Sequence, residues 1–496
     1  MERAASMLAD SFASRERPVL VGRGGAISAA DPFAAAAGQE ILCRGGNAVE
    51  AMIAAQAVLA VVAPNACGLG GDMLCLIREP GGRTRAFNGT GAAPRKLTHV
   101  ANDGGASITV PGIVGAWSTV LAAYGRLPLH TILQPAIKLA RLKMPVTPSL
   151  MRALQDQRAR LERNGAAQWQ LLSARAGQLV TQEELAMTLD RIGKEGAHAF
   201  YSGVCAQAIV SAVQRQGGAL DLDDLEAHET VVTEPISIDF KGMRLLVQPP
   251  VSQGVLLAMA TKGLFELGEI PADRIDHAGI ELTEASFAYR DQVVRGASLL
   301  DEKLQIDLNR AANRGGPRAY LHTAGVSVAD RHGNCAASLV SVFDDFGSAV
   351  YVPECGFTLN NRAGGFTSKP NDAMPGKRPV HTLAPAILET PHGPLGLSTP
   401  GADGQVQTLL QVICGLTIEK LDLARVVGRP RWRSENGKLL IEKSHPQKEN
   451  LAELGHKVVE MPDGDMRAGA VTAAGFIDGS PVAVADWRRT TWAGVV

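Results

Sequence analysis

Apolar and polar positions follow two different rhythms along this chain, and the rhythm changes near residue 323. Before it, helical spacing dominates. Residues 20–30 read as a short strand into a turn, and Asp31 caps a helix to about Cys43 with Pro32 in its first turn. Gly45-Gly46 stops that helix, and Asn47 caps the next, Ala48–Val62. A glycine-rich turn, 68–72, leads into a strand over 73–78, with 84–87 as its hairpin partner. The pattern predicts helices over 116–124, 132–142, 149–163, 182–193 and 204–216, and another starting at Asp221. Strands at 236–240 and 243–248 precede helices at about 252–266 and 278–294. Residues 307–322 are polar and glycine-rich and read as an exposed loop.

From Thr323 onward short strands dominate: 325–329, 335–342, 357–359, 385–389 and 395–398. A helix over 405–413 follows a Pro-Gly turn, and 472–477 with 482–485 reads as a closing hairpin. Strands near both ends with helices between them indicate a layered α/β body. No period of 20–50 residues points to a solenoid.

Composition narrows the function without naming it. The 496 residues are 46% hydrophobic and 20% charged, as in ordinary globular proteins. Length alone allows two or three domains, although one large sheet core could hold the whole chain. A net charge of −1 offers no basic footprint for nucleic acid or an anionic membrane. The apolar run from Ala48 to Ala66 contains Glu50 and Gln56, so it reads as a buried helix, not a membrane span. The seven cysteines form no C-x-x-C pair and read as small buried hydrophobes in a reducing compartment. The segment Met1 to Pro18 is charged and lacks the apolar stretch of a secretory signal. No H-x-x-x-H spacing occurs among the eleven histidines, so neither a metal nor another cofactor is expected. The turn at Gly68-Leu69-Gly70-Gly71 lacks the G-x-G-x-x-G spacing of a dinucleotide loop.

The chemistry centres on Thr323. A threonine hydroxyl inside a chain is a poor nucleophile, but cutting the bond before it frees an α-amine that serves as its base. That amine has a reference pKa of roughly 7.7–8.0, close to working pH. Cleavage of His322–Thr323 would therefore supply nucleophile and base in one residue. Alone, a threonine where a loop meets a strand is unremarkable, so the surrounding motifs must decide.

They form an ordered set. After Thr323 come a strand and the turn Asp330-Arg331-His332-Gly333-Asn334. Phe346-Gly347, Leu359-Asn360-Asn361, Lys377-Arg378-Pro379, His381-Thr382 and Pro400-Gly401-Ala402 follow. The first half holds Gly45-Gly46-Asn47-Ala48-Val49-Glu50-Ala51, the glycine turn 68–72, and Val110-Pro111-Gly112 with Trp117. It also holds Leu220 to Leu225 and Pro249-Pro250-Val251-Ser252-Gln253-Gly254. In this order, over roughly residues 20–490, the chain resembles the γ-glutamyltransferase family of N-terminal nucleophile hydrolases.

The resemblance implies a four-layer αββα sandwich made as one precursor. Such a precursor cuts itself before Thr323 into 1–322 and 323–496, which stay together as one folding unit. It implies Thr323 as nucleophile, Ser341 as the hydroxyl that supports it, and the Gly401 and Ala402 amides as oxyanion donors. Many members are exported, so this chain reads as a cytoplasmic relative.

The pattern departs from γ-glutamyl enzymes where the substrate zwitterion is held. His99 stands at the place of the carboxylate-binding arginine, with Arg95 nearby. Gly365 stands at the place of the acid that grips the α-amine, and Arg362 adds positive charge to the same segment. His381 replaces one of a hydroxyl pair, leaving Thr382. The stretch 366–378 is short where relatives carry a longer lid, which favours water as acceptor. Asp344-Asp345 reads as a pocket-rim turn. These changes resemble oxamate amidohydrolase-like and cephalosporin acylase-like branches, and point to a small anionic amide substrate read by Arg95, Arg362 and His381. A true γ-glutamyltransferase or glutathione hydrolase is the rival enzyme reading, and an uncut, inactive binding protein is the rival from another class. Whether the chain forms a homodimer or a higher oligomer stays open.

Overall fold

The structure, a computed structural model, describes residues 16–316 and 322–496. The reading of residues 1–15, and of 317–321 within the expected loop, falls outside the described residues.

Two seven-stranded antiparallel sheets stack face to face. The first runs in the order 492–495, 25–29, 324–330, 335–341, 72–78, 84–89 and 231–233. The second runs 20–21, 480–485, 472–477, 393–398, 386–390, 243–247 and 236–240. Each sheet contains strands from both sides of residue 323. Outside the first sheet pack helices Pro32–Cys43 and Ala48–Val62, sharing a core with Val326, Val328 and Val340. Outside the second pack Gly254–Glu266, Ile275–Phe287 and Gly404–Thr417. This is the αββα sandwich.

Alternation along a strand decides which layer each side chain joins. In Ala324–Asp330, residues 324, 326 and 328 enter the outer helical core, while Gly325 and Ser327 face the second sheet. Ser327 Oγ donates to Thr472 O at 3.1 Å. A Cβ on Gly325 would lie 2.7 Å from Ser398 Oγ, so only glycine lets the sheets approach there. Between the sheets the apolar contacts are few, such as Leu74 with Leu339 and Leu383.

Helix Ala48–Val62 is buried along its whole length and carries a capping box between Asn47 and Glu50. No helix among the described residues is long and apolar enough to cross a membrane. Two expectations need correction. The helix predicted over 278–294 is Ile275–Phe287, followed by tight turns over Arg290–Asp301 that break at Gly296, where φ is 58°. A three-stranded sheet, Trp432–Glu435, Lys438–Glu442 and Val458–Met461, was not anticipated.

Candidate active site

Thr323 ends the segment leading into the central strand of the first sheet, and its side chain is buried. Its Oγ1 lies 2.6 Å from the carbonyl oxygen of His322 and donates to it. Ser341, at the far end of the adjacent strand, donates its Oγ to the same oxygen at 3.0 Å. Ser341 Oγ in turn accepts the Phe343 N–H at 2.9 Å, which fixes the hydroxyl as a donor toward His322. In the uncut chain Ser341 thus polarises the carbonyl before Thr323, the atom a processing attack must reach.

The His322 ring is mostly buried, with Nε2 3.1 Å from Asp345 Oδ2. Burial lowers the His322 pKa to about 4, with Arg489 adding to the effect. Burial raises Asp345 to about 6. Near neutral pH the contact is between a neutral imidazole and a carboxylate. His322 and Thr323 line a cavity of about 310 Å³ with Asp31, Arg152, Arg488 and Arg489. These arginines escaped the sequence reading, and the adjacent pair Arg488-Arg489 before Thr490-Thr491 was the available signal.

Pro400 lines the same cavity. Beyond it Gly401 has φ 123° and Ala402 φ 49°, the left-handed region where a Cβ is strained. Their carbonyls are held from behind. Arg433 Nη1 donates to Gly401 O at 3.2 Å and Gln253 Nε2 to Ala402 O at 2.9 Å. Among the described residues neither amide N–H donates a hydrogen bond, and of this turn Pro400 is the residue that lines the cavity.

A second cluster gathers Arg362, His381 and Thr382 around Asp72. Asp72, Arg362 and His381 have no exposed side-chain surface. Leu383 N–H donates to His381 Nδ1 at 3.1 Å, which leaves the proton on Nε2 for Asp72 Oδ2, also at 3.1 Å. Burial lowers His381 to about 4, with Arg362 the next cause, so the ring is neutral and Arg362 is the countercharge of Asp72. Arg362 Nη1 reaches Thr382 Oγ1 at 3.5 Å, its carbon sits 4.2 Å from the Phe343 ring centroid, and Nη2 has no hydrogen-bond partner. Gln253 Nε2 also donates to Thr382 O at 2.7 Å, coupling this cluster to the Ala402 turn.

The remaining expected site residues lie apart. Arg95 is exposed and lines a separate cavity of about 540 Å³ with Asp224, His228, Lys377 and Arg378. His99 is exposed and meets only Thr98 Oγ1, at 3.1 Å. Gly365 is buried, and a Cβ there would lie 3.0 Å from Val380 O, a tight contact.

Several motif residues prove to be struts. Asp330 closes its own turn through His332 N–H and Asn334 N–H, and reaches Ala48 N–H at the start of a helix. Asn360 ties Thr109, Gly70 and Arg362 together. Among the described residues one group has the composition of a metal site: His277, Glu281 and His456, all buried. His277 Nε2 donates to Asp307 O at 2.8 Å, and Nδ1 lies 2.7 Å from His456 Nε2. Glu281 accepts Ala312 N–H at 3.0 Å and pairs with Arg314 at 2.5 Å. These bonds pin residues 307–314 ahead of the Thr323 junction.

Comparison with known proteins gives the family and the fold. A family model described as gamma-glutamyltranspeptidase matches residues 34–496. The glutathione hydrolase-like YwrD proenzyme of Bacillus subtilis (strain 168) is 31% identical, over 90% of this chain and 94% of its own length. The oxamate amidohydrolase proenzyme of Klebsiella pneumoniae is 30% identical, over 85% of this chain and 89% of its own. The crystal structure of cephalosporin acylase from Bacillus halodurans superposes with a TM-score of 0.87 at 26% identity, covering 98% of this chain and 99% of that one.

Proposed function

The chain belongs to the gamma-glutamyltranspeptidase family of enzymes, and from that membership and the geometry at residue 323 we propose that it is a self-cleaving threonine amidohydrolase acting on a small anionic amide. The observation that carries the reading is the convergence of two hydroxyls on one carbonyl. Thr323 Oγ1 and Ser341 Oγ lie 2.6 and 3.0 Å from His322 O.

In processing, Thr323 Oγ1 attacks the His322 carbonyl carbon. The bond to Thr323 nitrogen breaks, an ester forms, and water resolves it into a His322 carboxylate and a free Thr323 amine. In turnover the same hydroxyl attacks the substrate amide with the new α-amine as base. The Gly401 and Ala402 amides receive the oxyanion. The acyl group stays on Thr323 as an ester until water removes it.

Two observations support an anionic amide over a γ-glutamyl group. Arg152 and Arg489 line the cavity of Thr323 with Arg488, whose charge Glu442 and Asp486 already meet, and with Asp31 and Asp463. Gly365 brings no carboxylate to receive an ammonium. Arg362 enters this reading as the buried partner of Asp72, not as a lining residue of the cavity.

The test has two parts. Intact mass should show two fragments split before Thr323, and a single chain for Thr323→Ala. Mature enzyme should hydrolyse oxamate or an acyl β-lactam faster than a γ-glutamyl anilide. Preference for the anilide would sink the anionic-amide reading, and an uncut but fully active wild type would sink the nucleophile.

A further inference from the structure

Cys205 and Cys355 belong to opposite sides of the Thr323 junction and meet in the outer helical core. Their sulfur atoms are 3.2 Å apart, inside ordinary sulfur contact, and both residues are only 2% exposed. Cys205 lies in the first turn of helix Val204–Arg215. Cys355 lies in the turn between strands Tyr351–Val352 and Phe357–Thr358.

Both backbones are held. Cys355 N–H donates to Val352 O at 3.0 Å, and Thr188 Oγ1 donates to Cys355 O at 3.1 Å. The next residue, Gly356, has φ 77°, and a Cβ there would lie 2.5 Å from Leu185 N. Behind the turn, Phe357 stacks on Phe200 at 5.8 Å. A disulfide needs sulfurs about 2.05 Å apart, so side-chain rotation closes the remaining gap while the main chain stays in place.

We infer that Cys205 and Cys355 are a built disulfide pair, which on exposure to a disulfide oxidant joins the two fragments of the processed enzyme covalently. The thiolate of one cysteine attacks a sulfur of the oxidant, forming a mixed disulfide and expelling one thiol. The second cysteine attacks the first one's sulfur and expels the other thiol. Two cysteine thiols and one oxidant disulfide become one protein disulfide and two small thiols, which carry off both protons. In a reducing compartment the pair remains two thiols. The other five cysteines have no such partner among the described residues. The fragment-joining consequence rests on cleavage before Thr323, whereas formation of the bond does not.

The experiment incubates purified full-length-expressed protein with oxidised glutathione. A parallel sample is refolded from denaturant in a glutathione redox buffer, so that burial cannot hide the sulfurs. Both are quenched with N-ethylmaleimide under denaturing conditions and run with and without reductant. The expected result is two bands with reductant and one band at the uncut position without it. Cys205→Ser and Cys355→Ser should each give two bands in both lanes. Two bands without reductant in both wild-type samples, with residues 205 and 355 alkylated, overturn the inference. A single band even with reductant would signal failure of self-cleavage. The pair is then judged by peptide mapping, where a cross-linked 205–355 peptide supports the bond and its absence overturns it.

Discussion

Ser341 and Thr323 aim their hydroxyls at one atom, the carbonyl oxygen of His322, from 3.0 and 2.6 Å. The two groups have unequal roles. Thr323 must leave that oxygen to attack the carbon beneath it, whereas Ser341 can follow the oxygen as it becomes negative.

Ser341→Ala should therefore slow self-cleavage more than it disturbs the fold. Loss of one preorganised oxyanion donor costs about 10²–10³ in rate. A gel time course of freshly translated chain should show that delay, with Ser341→Thr restoring much of the speed. Wild-type cleavage rates in Ser341→Ala would remove the serine from the reaction.

The Gly401-Ala402 turn makes a separable prediction. With φ at 123°, Gly401 occupies a conformation that side chains rarely adopt, so Gly401→Ala should destabilise by about 1–3 kcal/mol and displace the oxyanion donors. Ala402, at φ 49°, should accept glycine with activity kept and little change in unfolding midpoint. Steady-state kinetics beside chemical denaturation separates the two, and an inactive Ala402→Gly would show that its methyl matters.

Asp72 and Arg362 form a buried pair with no exposed side-chain surface on either partner. Asp72→Asn should cost about 3–5 kcal/mol, because the guanidinium is left uncompensated. The double change Asp72→Asn with Arg362→Met should recover much of that loss in urea unfolding. If it does not, the aspartate has a role beyond countercharge.

Acid should weaken the protein through its buried histidines. Burial lowers His228 from 6.5 to about 4. Between those values the unfolded chain binds the extra proton, so stability is held above the unfolded pKa and lost as pH falls. A shift of that size corresponds to about 3 kcal/mol. Asp31 and Asp345, raised to about 6 by burial, act in the opposite sense, since the folded state holds their protons longer. The His228→Gln slope of stability against pH from 6.5 to 4 should be shallower than wild type, as followed by urea midpoints. Parallel slopes would show that His228 titrates normally.

Local patterning carried a layered α/β body, and the ordered motifs of the family the chain resembles carried the four-layer sandwich. Ala48–Val62 announces itself by an asparagine cap, a glutamate three residues on and an unbroken apolar run. The tie from Asp72 to His381 spans 309 residues and leaves no local trace. The small sheet around Trp432 was hidden for a different reason. Arg431, Arg433 and Arg488 are buried against Asp486, Glu435 and Glu442, and local patterning assigns such charges to solvent. Arg362 misled in the same way, since its buried partner Asp72 is distant in sequence.

Residue 324 begins a strand registered on one side with 335–340 and on the other with 25–29. A break at the preceding bond therefore creates two ends that are held differently. The newly exposed threonine is clamped from both flanks and cannot recoil. The histidine end is held by the Ser341 hydroxyl on its carbonyl oxygen and by the contact of its ring with Asp345. Cleavage at this bond, as proposed, would thus leave the attacking group where it stands.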